Sequence, residues 1–332
     1  MTDIYRTFGS ELSPYSVKVR SYFRYKGLPH EWIVRNTDNQ AEYDRHAKLP
    51  LIPLVITPEG TALQDSTPII EHLEELFPEP SIHPADSTLR FLSAMIEEYG
   101  DEWGNKPMFH YRWFYEADQE SAARRIAQGM MPNLPPDNLQ GAIDMIRGRM
   151  VPRLNFVGSS EQTKEQIEGS LRRQLDILEF HLKDRKYLFG GRPAFGDFGL
   201  YAQLYQCSTD PTPGELMRRV APHVITWIER MLDPKNEGDF ESWATLGPTL
   251  TPLLRDEIGA VFFPWTAANA AALANGQKEF SLTLDGKPFS QEVQKYHAKS
   301  LQVLRQRYMR VAEKGELDPI LRLAGCYDHL QA

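Results

Sequence analysis

Short apolar strands and amphipathic helices alternate through the first eighty residues. A strand is predicted from Ile4 to Phe8, and a helix follows it, with Ser13 as the N-cap, Pro14 in the first turn and Gly27 at the end. Further elements are predicted in the order strand, helix, strand, strand, helix at residues 31–35, 40–47, 49–56, 61–64 and 66–76. This β-α-β-α-β-β-α order predicts a compact α/β unit with a mixed sheet over residues 1–80.

Beyond residue 87 the apolar residues follow helical spacing. Leu171, Leu175, Leu178 and Leu182 recur at intervals of four, three and four, which predicts one buried helix face. Other helices are predicted around residues 89–99, 197–207 and 224–232, with a break at residues 133–138. An aromatic cluster occupies residues 103–115, and we interpret it as core packing rather than as the wall of a substrate pocket: Trp103, Phe109, Tyr111, Trp113 and Phe114. The pattern predicts an all-α domain at residues 88–238.

The last ninety residues, 239–332, form a predicted extension. Its longest uncharged stretch, residues 258–277, is interrupted by Pro264 and rich in alanine, so a buried helix accounts for it better than a membrane span does. Strands at residues 280–284 and 289–293 flank Asp285-Gly286 and predict a hairpin. An amphipathic helix is predicted after it.

Composition narrows the class of protein. The chain has 332 residues, 41% hydrophobic and 25% charged, which is typical of a soluble globular protein of two or three domains. A net charge of -8 argues against nucleic acid or an anionic membrane as a partner. Cys207 and Cys326 are too few for a disulfide framework and lack the spacing of metal ligands, and the polar N-terminus does not resemble a signal peptide. A cytoplasmic location is therefore predicted.

Ser13 is the first candidate for chemistry. A helix start carries unpaired N–H groups and a partial positive charge, so it suits an anion or a thiolate as well as a capping hydroxyl. Taken alone, the position favours simple capping over function.

Four motifs together resemble those of the glutathione transferase superfamily, and this resemblance favours a functional role for Ser13 over capping alone. The first is Ser13-Pro14-Tyr15-Ser16, which is similar to the Cys-Pro-Tyr-Cys of glutaredoxins and, through Arg20, to serine-type transferases such as the plant tau class. The second is Ile52-Pro53-Leu54-Val55, which resembles the family's cis-proline strand. The third is Gln64-Asp65-Ser66, and the fourth is the loop and capping aspartate at residues 189–198. The resemblance covers residues 3–235.

The resemblance implies a thioredoxin-like glutathione-binding domain, an all-α glutathione-transferase domain and an atypical extension. It implies that Ser13 stabilises the glutathione thiolate, that Pro53 is cis and turns the Ile52 backbone toward the tripeptide, and that Ser66 binds the γ-glutamyl carboxylate. Asp65 would pair with the ammonium of the same group. Gln64 and Tyr15 are further candidate substrate-binding residues. Glutathione as co-substrate, no metal and a homodimer are implied as well.

Departures from the family pattern accompany the match. Asp65 is one methylene shorter than the usual glutamate, and Leu51 stands where a polar or basic side chain is common. Ala194 replaces the Ser or Thr that would complete a capping box with Asp197, which predicts the loss of one hydrogen bond at that helix start. Capping alone also accounts for Asp65 and Ser66, and Pro53 could be trans, as most prolines are.

The predicted activity is attack of the glutathione thiolate on an apolar electrophile, in a conjugation or a cleavage. The alternative is a non-catalytic protein that keeps the fold and uses the extension to bind or organise a partner. Glutaredoxin-like chemistry ranks low because neither Cys207 nor Cys326 lies in the first domain. A serine hydrolase ranks low because no Gly-x-Ser-x-Gly motif occurs.

Overall fold

The computed structural model describes residues 4–331 and begins with a four-stranded mixed sheet. The strands lie in the order β2-β1-β3-β4, with β1 and β2 parallel and the other neighbours antiparallel. The elements of this domain are β1 (Tyr5–Gly9), α1 (Pro14–Lys26), β2 (His30–Val34), α2 (Gln40–His46), β3 (Leu54–Ile56), β4 (Ala62–Gln64) and α3 (Ser66–Leu76). The predicted α/β fold and element order are confirmed.

Helix α1 begins and ends where its sequence dictates. Ser13 has extended backbone angles, and its Oγ accepts the N–H of Ser16 at 3.2 Å, which satisfies one orphan donor of the first turn. Gly27 ends the helix at φ 63°, a left-handed conformation that costs glycine little. The side chain at residue 13 is therefore fixed at the head of a well-defined helix.

The register of the sheet brings three segments to one end of it. Phe8 pairs with Leu54, which in turn pairs with Gln64, so these residues form one row across the sheet. Because β3 runs antiparallel to β1 and β4, the chain just after β1, just before β3 and just after β4 meets beyond this row. The Ile52–Pro53 peptide, in the middle segment, is cis, as the resemblance implied.

A helical domain follows the sheet domain. Its helices are α4 (Ser87–Glu102), α5 (Asn105–Phe114), α6 (Glu116–Met130), α7 (Leu139–Met150), α8 (Lys164–Leu182), α9 (Phe195–Thr209), α10 (Pro211–Val220) and α11 (Pro222–Met231). The predicted leucine face of α8 is buried along its length. Helices α4 and α9 approach so closely that a Cβ at Gly100 would lie 2.7 Å from the backbone nitrogen of Leu200, which explains the glycine there. Helices α5, α6, α7 and α10 were not predicted individually.

Asp197 organises the centre of this domain. Its Oδ1 accepts the N–H of Leu188 at 2.8 Å and the indole Nε1–H of Trp227 at 2.9 Å, and its Oδ2 accepts the N–H of Ala194 at 2.9 Å. Ala194 has no hydroxyl to cap this helix start, but the N–H of Asp197 donates to the backbone carbonyl of Ala194 at 2.9 Å, so the expected loss of a hydrogen bond is compensated by the backbone. Burial raises the pKa of Asp197 to about 7.

The extension packs onto the helical domain. It comprises α12 (Trp243–Pro252), a π-helical segment (Leu253–Phe262), α13 (Phe263–Ala274), the hairpin β5 (Glu279–Leu284) and β6 (Lys287–Glu292), α14 (Lys295–Arg310), α15 (Leu317–Leu323) and α16 (Tyr327–Gln331). Its buried apolar residues belong to the same continuous core as those of α4, α8 and α9. The predicted hairpin, with its turn at Asp285–Gly286, is confirmed.

One buried ion-pair cluster joins the sheet domain to the helical domain. The ammonium of Lys18, on α1, lies 2.5 Å from Glu97 and 2.6 Å from Asp101, both on α4, and its side chain is 0% exposed. The same ammonium donates to Thr67 Oγ1 on α3 at 3.0 Å. Burial raises the pKa of Asp101 to about 7, because one cation serves two carboxylates away from water.

Lys18→Met is expected to destabilise the fold by about 3–5 kcal/mol at neutral pH, since it leaves two buried carboxylates without a cation. Without that cation the folded-state pKa of Asp101 moves further above its unfolded value, so stability falls as pH rises from about 4 through neutrality. The loss measured by urea denaturation should therefore be larger at pH 8 than at pH 5. Lys183→Met, at an exposed position, is the control. Equal losses at both pH values would contradict the assignment.

Asp197→Asn is expected to lower the free energy of unfolding by about 3 kcal/mol, since an amide cannot accept on both sides and its NH₂ would face the N–H of Ala194. Asp176→Asn makes the same chemical change at an exposed position of α8 and should cost less than about 0.5 kcal/mol. The midpoints of thermal unfolding of both variants measure the difference, and equal midpoints would show that the three donors contribute little.

Candidate functional site

Ser13 lies at the sheet end where the three segments meet, and its side chain is half-buried. The Oγ accepts one hydrogen bond, from the N–H of Ser16. Within residues 4–331, no group accepts the hydroxyl proton of Ser13. The hydroxyl can therefore cap its helix and still donate to a ligand bound at the N-terminus of α1, where the helix dipole favours negative charge.

The head of α3 lies at the same sheet end. Asp65 adopts φ 77° and ψ 123°, a conformation that is strained for a residue with a Cβ, and its carboxylate does not cap the helix. Ser66, in the first position of α3, is buried and makes no side-chain hydrogen bond within residues 4–331. The Ser66 hydroxyl and the first N–H groups of α3 thus lie next to the exposed carboxylate of Asp65. The donors suit the carboxylate of an amino acid, and Asp65 suits its ammonium.

Gln64 shapes the loop before the cis proline. Its Nε2 donates to the carbonyls of Leu49 and Leu51, each at 2.9 Å, and its Oε1 accepts the N–H groups of Lys48 and Leu49 at 2.8 and 3.1 Å. These four bonds occupy the amide, so the side chain of Gln64 positions the loop. The side chain of Leu51 is exposed and takes no part in this network.

Tyr15 connects the two domains. Its hydroxyl donates to the backbone carbonyl of Asp101 at 3.1 Å, next to the cluster around Lys18. The aromatic residues predicted as core behave largely so: Trp103, Tyr111 and Trp113 are buried, and Phe109 and Phe114 are partly exposed.

A cavity of about 290 Å³ adjoins the loop that precedes Ser13. It lies between that loop, the end of β2 and the C-terminal half of α6, and its apolar lining is Leu12, Val34, Ile126 and Met130. Arg35 and Arg125 also line it. The cavity adjoins Ser13 along the chain, because Leu12 is part of its lining.

The extension reaches the site through Tyr296. Its hydroxyl lies 3.1 Å from Oδ2 and 3.3 Å from Oδ1 of Asp65. Nothing in the local sequence predicts this contact, because 231 positions separate the two residues.

Lys18 and Asp101 were also missed, although a signal for each exists. Lys18 stands between Val17 and Val19 in an otherwise buried helix stretch, a place where a charge needs a partner. Glu97 and Asp101 are four residues apart on α4, so both carboxylates face the same way.

The described residues give no support to glutaredoxin-like chemistry, a metal site or a membrane span. Both cysteines are free and buried. Within residues 4–331 no cluster of three potential metal ligands is found. No helix of that range is long and apolar enough to cross a bilayer.

Two family models match the chain. The model described as glutathione S-transferase, N-terminal domain, matches residues 8–81, and the model described as glutathione S-transferase, C-terminal domain, matches residues 161–230. A curated relative is the isoprene-epoxide–glutathione S-transferase of a Rhodococcus species (strain AD45). It is 26% identical over 229 residues, which are 67% of this chain and 92% of the relative.

Solved glutathione S-transferase structures are similar as well. A Methylobacterium radiotolerans enzyme in complex with glutathione sulfonate is 22% identical, with a TM-score of 0.44 and coverage of 74% of this chain and 94% of the other. A tau class enzyme from mango, Mangifera indica, is 17% identical, with a TM-score of 0.41 and coverage of 74% and 96%. The match to the N-terminal domain spans the residues that carry the motifs at Ser13, Pro53 and Asp65, and the match to the C-terminal domain lies in the helical domain that follows. The chain belongs to the glutathione transferase superfamily.

Proposed function

We propose that the protein is a glutathione transferase in which the Ser13 hydroxyl stabilises the glutathione thiolate for attack on an apolar electrophile. The observation that carries the proposal is the Ser13 hydroxyl itself, at the head of α1 with its proton not accepted by any of residues 4–331. Glutathione is the co-substrate. A cytoplasmic homodimer is proposed with it, from the family resemblance and the two free cysteines.

Glutathione would lie across the sheet end. The γ-glutamyl carboxylate would accept hydrogen bonds from the Ser66 hydroxyl and the first N–H groups of α3, and the ammonium would pair with Asp65. The backbone of Ile52, before the cis Pro53, would pair with the cysteinyl unit. This arrangement leaves the thiol next to the Ser13 hydroxyl.

One hydrogen-bond donor and one helix N-terminus are enough to supply the free energy that ionises the thiol at neutral pH. A free thiol has a pKa near 8.5, so half-ionisation at pH 7 requires a shift of about 1.5 units, or about 2 kcal/mol. A hydrogen bond to a charged acceptor contributes about 1.5–3 kcal/mol, and a helix N-terminus contributes about 0.3–1 kcal/mol. A general base is not required, because Ser13 donates a hydrogen bond and keeps its proton.

In the reaction, a sulfur lone pair forms the S–C bond while the leaving atom keeps the electron pair of the bond that breaks. The name of the Rhodococcus relative gives an epoxide as the electrophile of that enzyme. We propose small apolar epoxides as a first class to test here, with ring opening producing an alkoxide that takes a proton from water. The cavity beside Leu12 is the proposed place for the apolar part of the electrophile.

The second candidate function is a non-catalytic binding or scaffold protein. The extension favours it, since all of residues 239–331 lie beyond both family matches and form a further layer on the helical domain. The two functions differ in what they require of Ser13, because a scaffold has no use for a thiolate.

Ser13→Ala is expected to lower kcat/KM for a general aryl or epoxide electrophile by about 10–100-fold at pH 7. The substitution removes a hydrogen bond that stabilises the thiolate by about 1.5–3 kcal/mol. The loss should shrink as pH approaches 9, where glutathione ionises without help. Steady-state rates across this pH range measure both effects.

Ser16→Ala is the matched control, because the Ser16 hydroxyl is buried on the same helix and makes no hydrogen bond within residues 4–331. It should leave the pH profile of the wild type unchanged. Calorimetric binding of glutathione without any conjugation, and with no response to Ser13→Ala, would favour the scaffold. Absence of glutathione binding to the wild type would overturn the proposed function.

A further inference from the structure

The extension contributes a side chain to the sheet end where the γ-glutamyl group is proposed to bind. Tyr296, in the first turn of α14, directs its hydroxyl at both carboxylate oxygens of Asp65, at 3.1 and 3.3 Å. Asp65 is one methylene shorter than the usual glutamate, and no residue from 4 to 80 donates a hydrogen bond to its carboxylate.

Tyr296 is held in place by contacts on both sides of it along the chain. Just before α14, the backbone of Gln294 forms a reciprocal pair with the buried side chain of Asn269, with distances of 2.8 and 2.9 Å. Just after Tyr296, His297 packs on the buried ring of Trp265 at 4.7 Å and pairs with Glu102. These anchors belong to α13 and α4, so the phenol is preorganised and does not depend on a loose segment.

The hydroxyl of Tyr296 leaves Asp65 able to accept a ligand. An ionised carboxylate offers about four acceptor positions. The phenol donates a single hydrogen, so most of these positions remain available to a ligand. Partial removal from water raises the pKa of Asp65, as do the charges of Glu102 and Glu97, and the hydrogen bond from Tyr296 and the charge of Lys18 oppose that rise. The phenol oxygen can itself accept a hydrogen from an ammonium beside Asp65.

Acidic side chains lie near Tyr296. Glu102, at the end of α4, pairs with His297 of α14, and Asp101 Oδ1 is buried without a hydrogen-bond partner in the described residues. Such a field favours a cation and disfavours a neutral amide in the same place.

We propose that Tyr296 is a specificity-determining residue of the γ-glutamyl subsite, where it positions the Asp65 carboxylate and makes the site selective for thiol peptides that carry a free primary ammonium. The inference rests on the proposed function, because it assumes that glutathione binds at this sheet end. It assigns to the extension a role in recognising the thiol substrate.

Tyr296→Phe tests the role with little risk to folding, since the residue is exposed and the ring stays while only the hydroxyl is lost. KM for glutathione should rise by about tenfold while kcat stays unchanged, as expected when one hydrogen bond that orients a charged group is removed. With N-acetylglutathione, which lacks the ammonium, wild type and variant should show the same KM. Asp65→Asn combined with Tyr296→Phe should lose no more than Asp65→Asn alone, because the two act as one unit.

Tyr327→Phe is the control, since Tyr327 also belongs to the extension but packs its ring on Arg322 at 3.4 Å. It should leave both KM values unchanged. An unchanged KM for glutathione in Tyr296→Phe, or equal rises for both peptides, would overturn the inference while leaving the proposed function intact. A lower KM would overturn it too and would identify Tyr296 as an inhibitory cover. A wild type that binds no glutathione would overturn both.

Discussion

A single buried ammonium, that of Lys18, holds the site together. It contacts α3 through Thr67 and α4 through Glu97 and Asp101, and it extends from α1, the helix that Ser13 caps. Two buried carboxylates without a cation would be costly, so the ammonium favours the arrangement in which these three helices meet at this point. The N-termini of α1 and α3 are therefore fixed relative to each other, as a ligand that contacts both of them requires.

Around that point the fold supplies the rest of the site through backbone geometry. The sheet register aligns Phe8, Leu54 and Gln64, which delivers three loops to one end. Gln64 then shapes the loop before Pro53 through four hydrogen bonds. Asp197 does comparable work in the helical domain by collecting three donors from separate segments. The side chains proposed to touch glutathione are few, and the hydrogen bonds of Gln64 and Lys18 position the segments that carry them.

The elements that local sequence determines could be predicted, and the contacts between distant segments could not. Ser13 and Gly27 specify the ends of α1 through capping and backbone freedom, and the four leucines of α8 specify its buried face through spacing alone. The pairing of Tyr296 with Asp65 depends on how the extension folds back over 231 positions, which no periodicity encodes. The role of Lys18 could not be predicted, because a charge between two valines shows that a partner is needed without showing which one. Helix α10 begins at Pro211, and its first residues, Pro211 to Gly214, have the composition of a loop, so the local sequence did not indicate a helix there.

The ionisation of the glutathione thiol at Ser13 can be measured without any electrophile. Glutathione bound to the wild-type protein should be titrated from pH 5 to pH 10 by the ultraviolet absorbance of its thiolate. The bound thiol is expected to have a pKa near 7, about 1.5 units below that of the free thiol, and a pKa closer to 8.5 in Ser13→Ala. A bound thiol that titrates near 8.5 in the wild-type protein would show that Ser13 does not stabilise the thiolate.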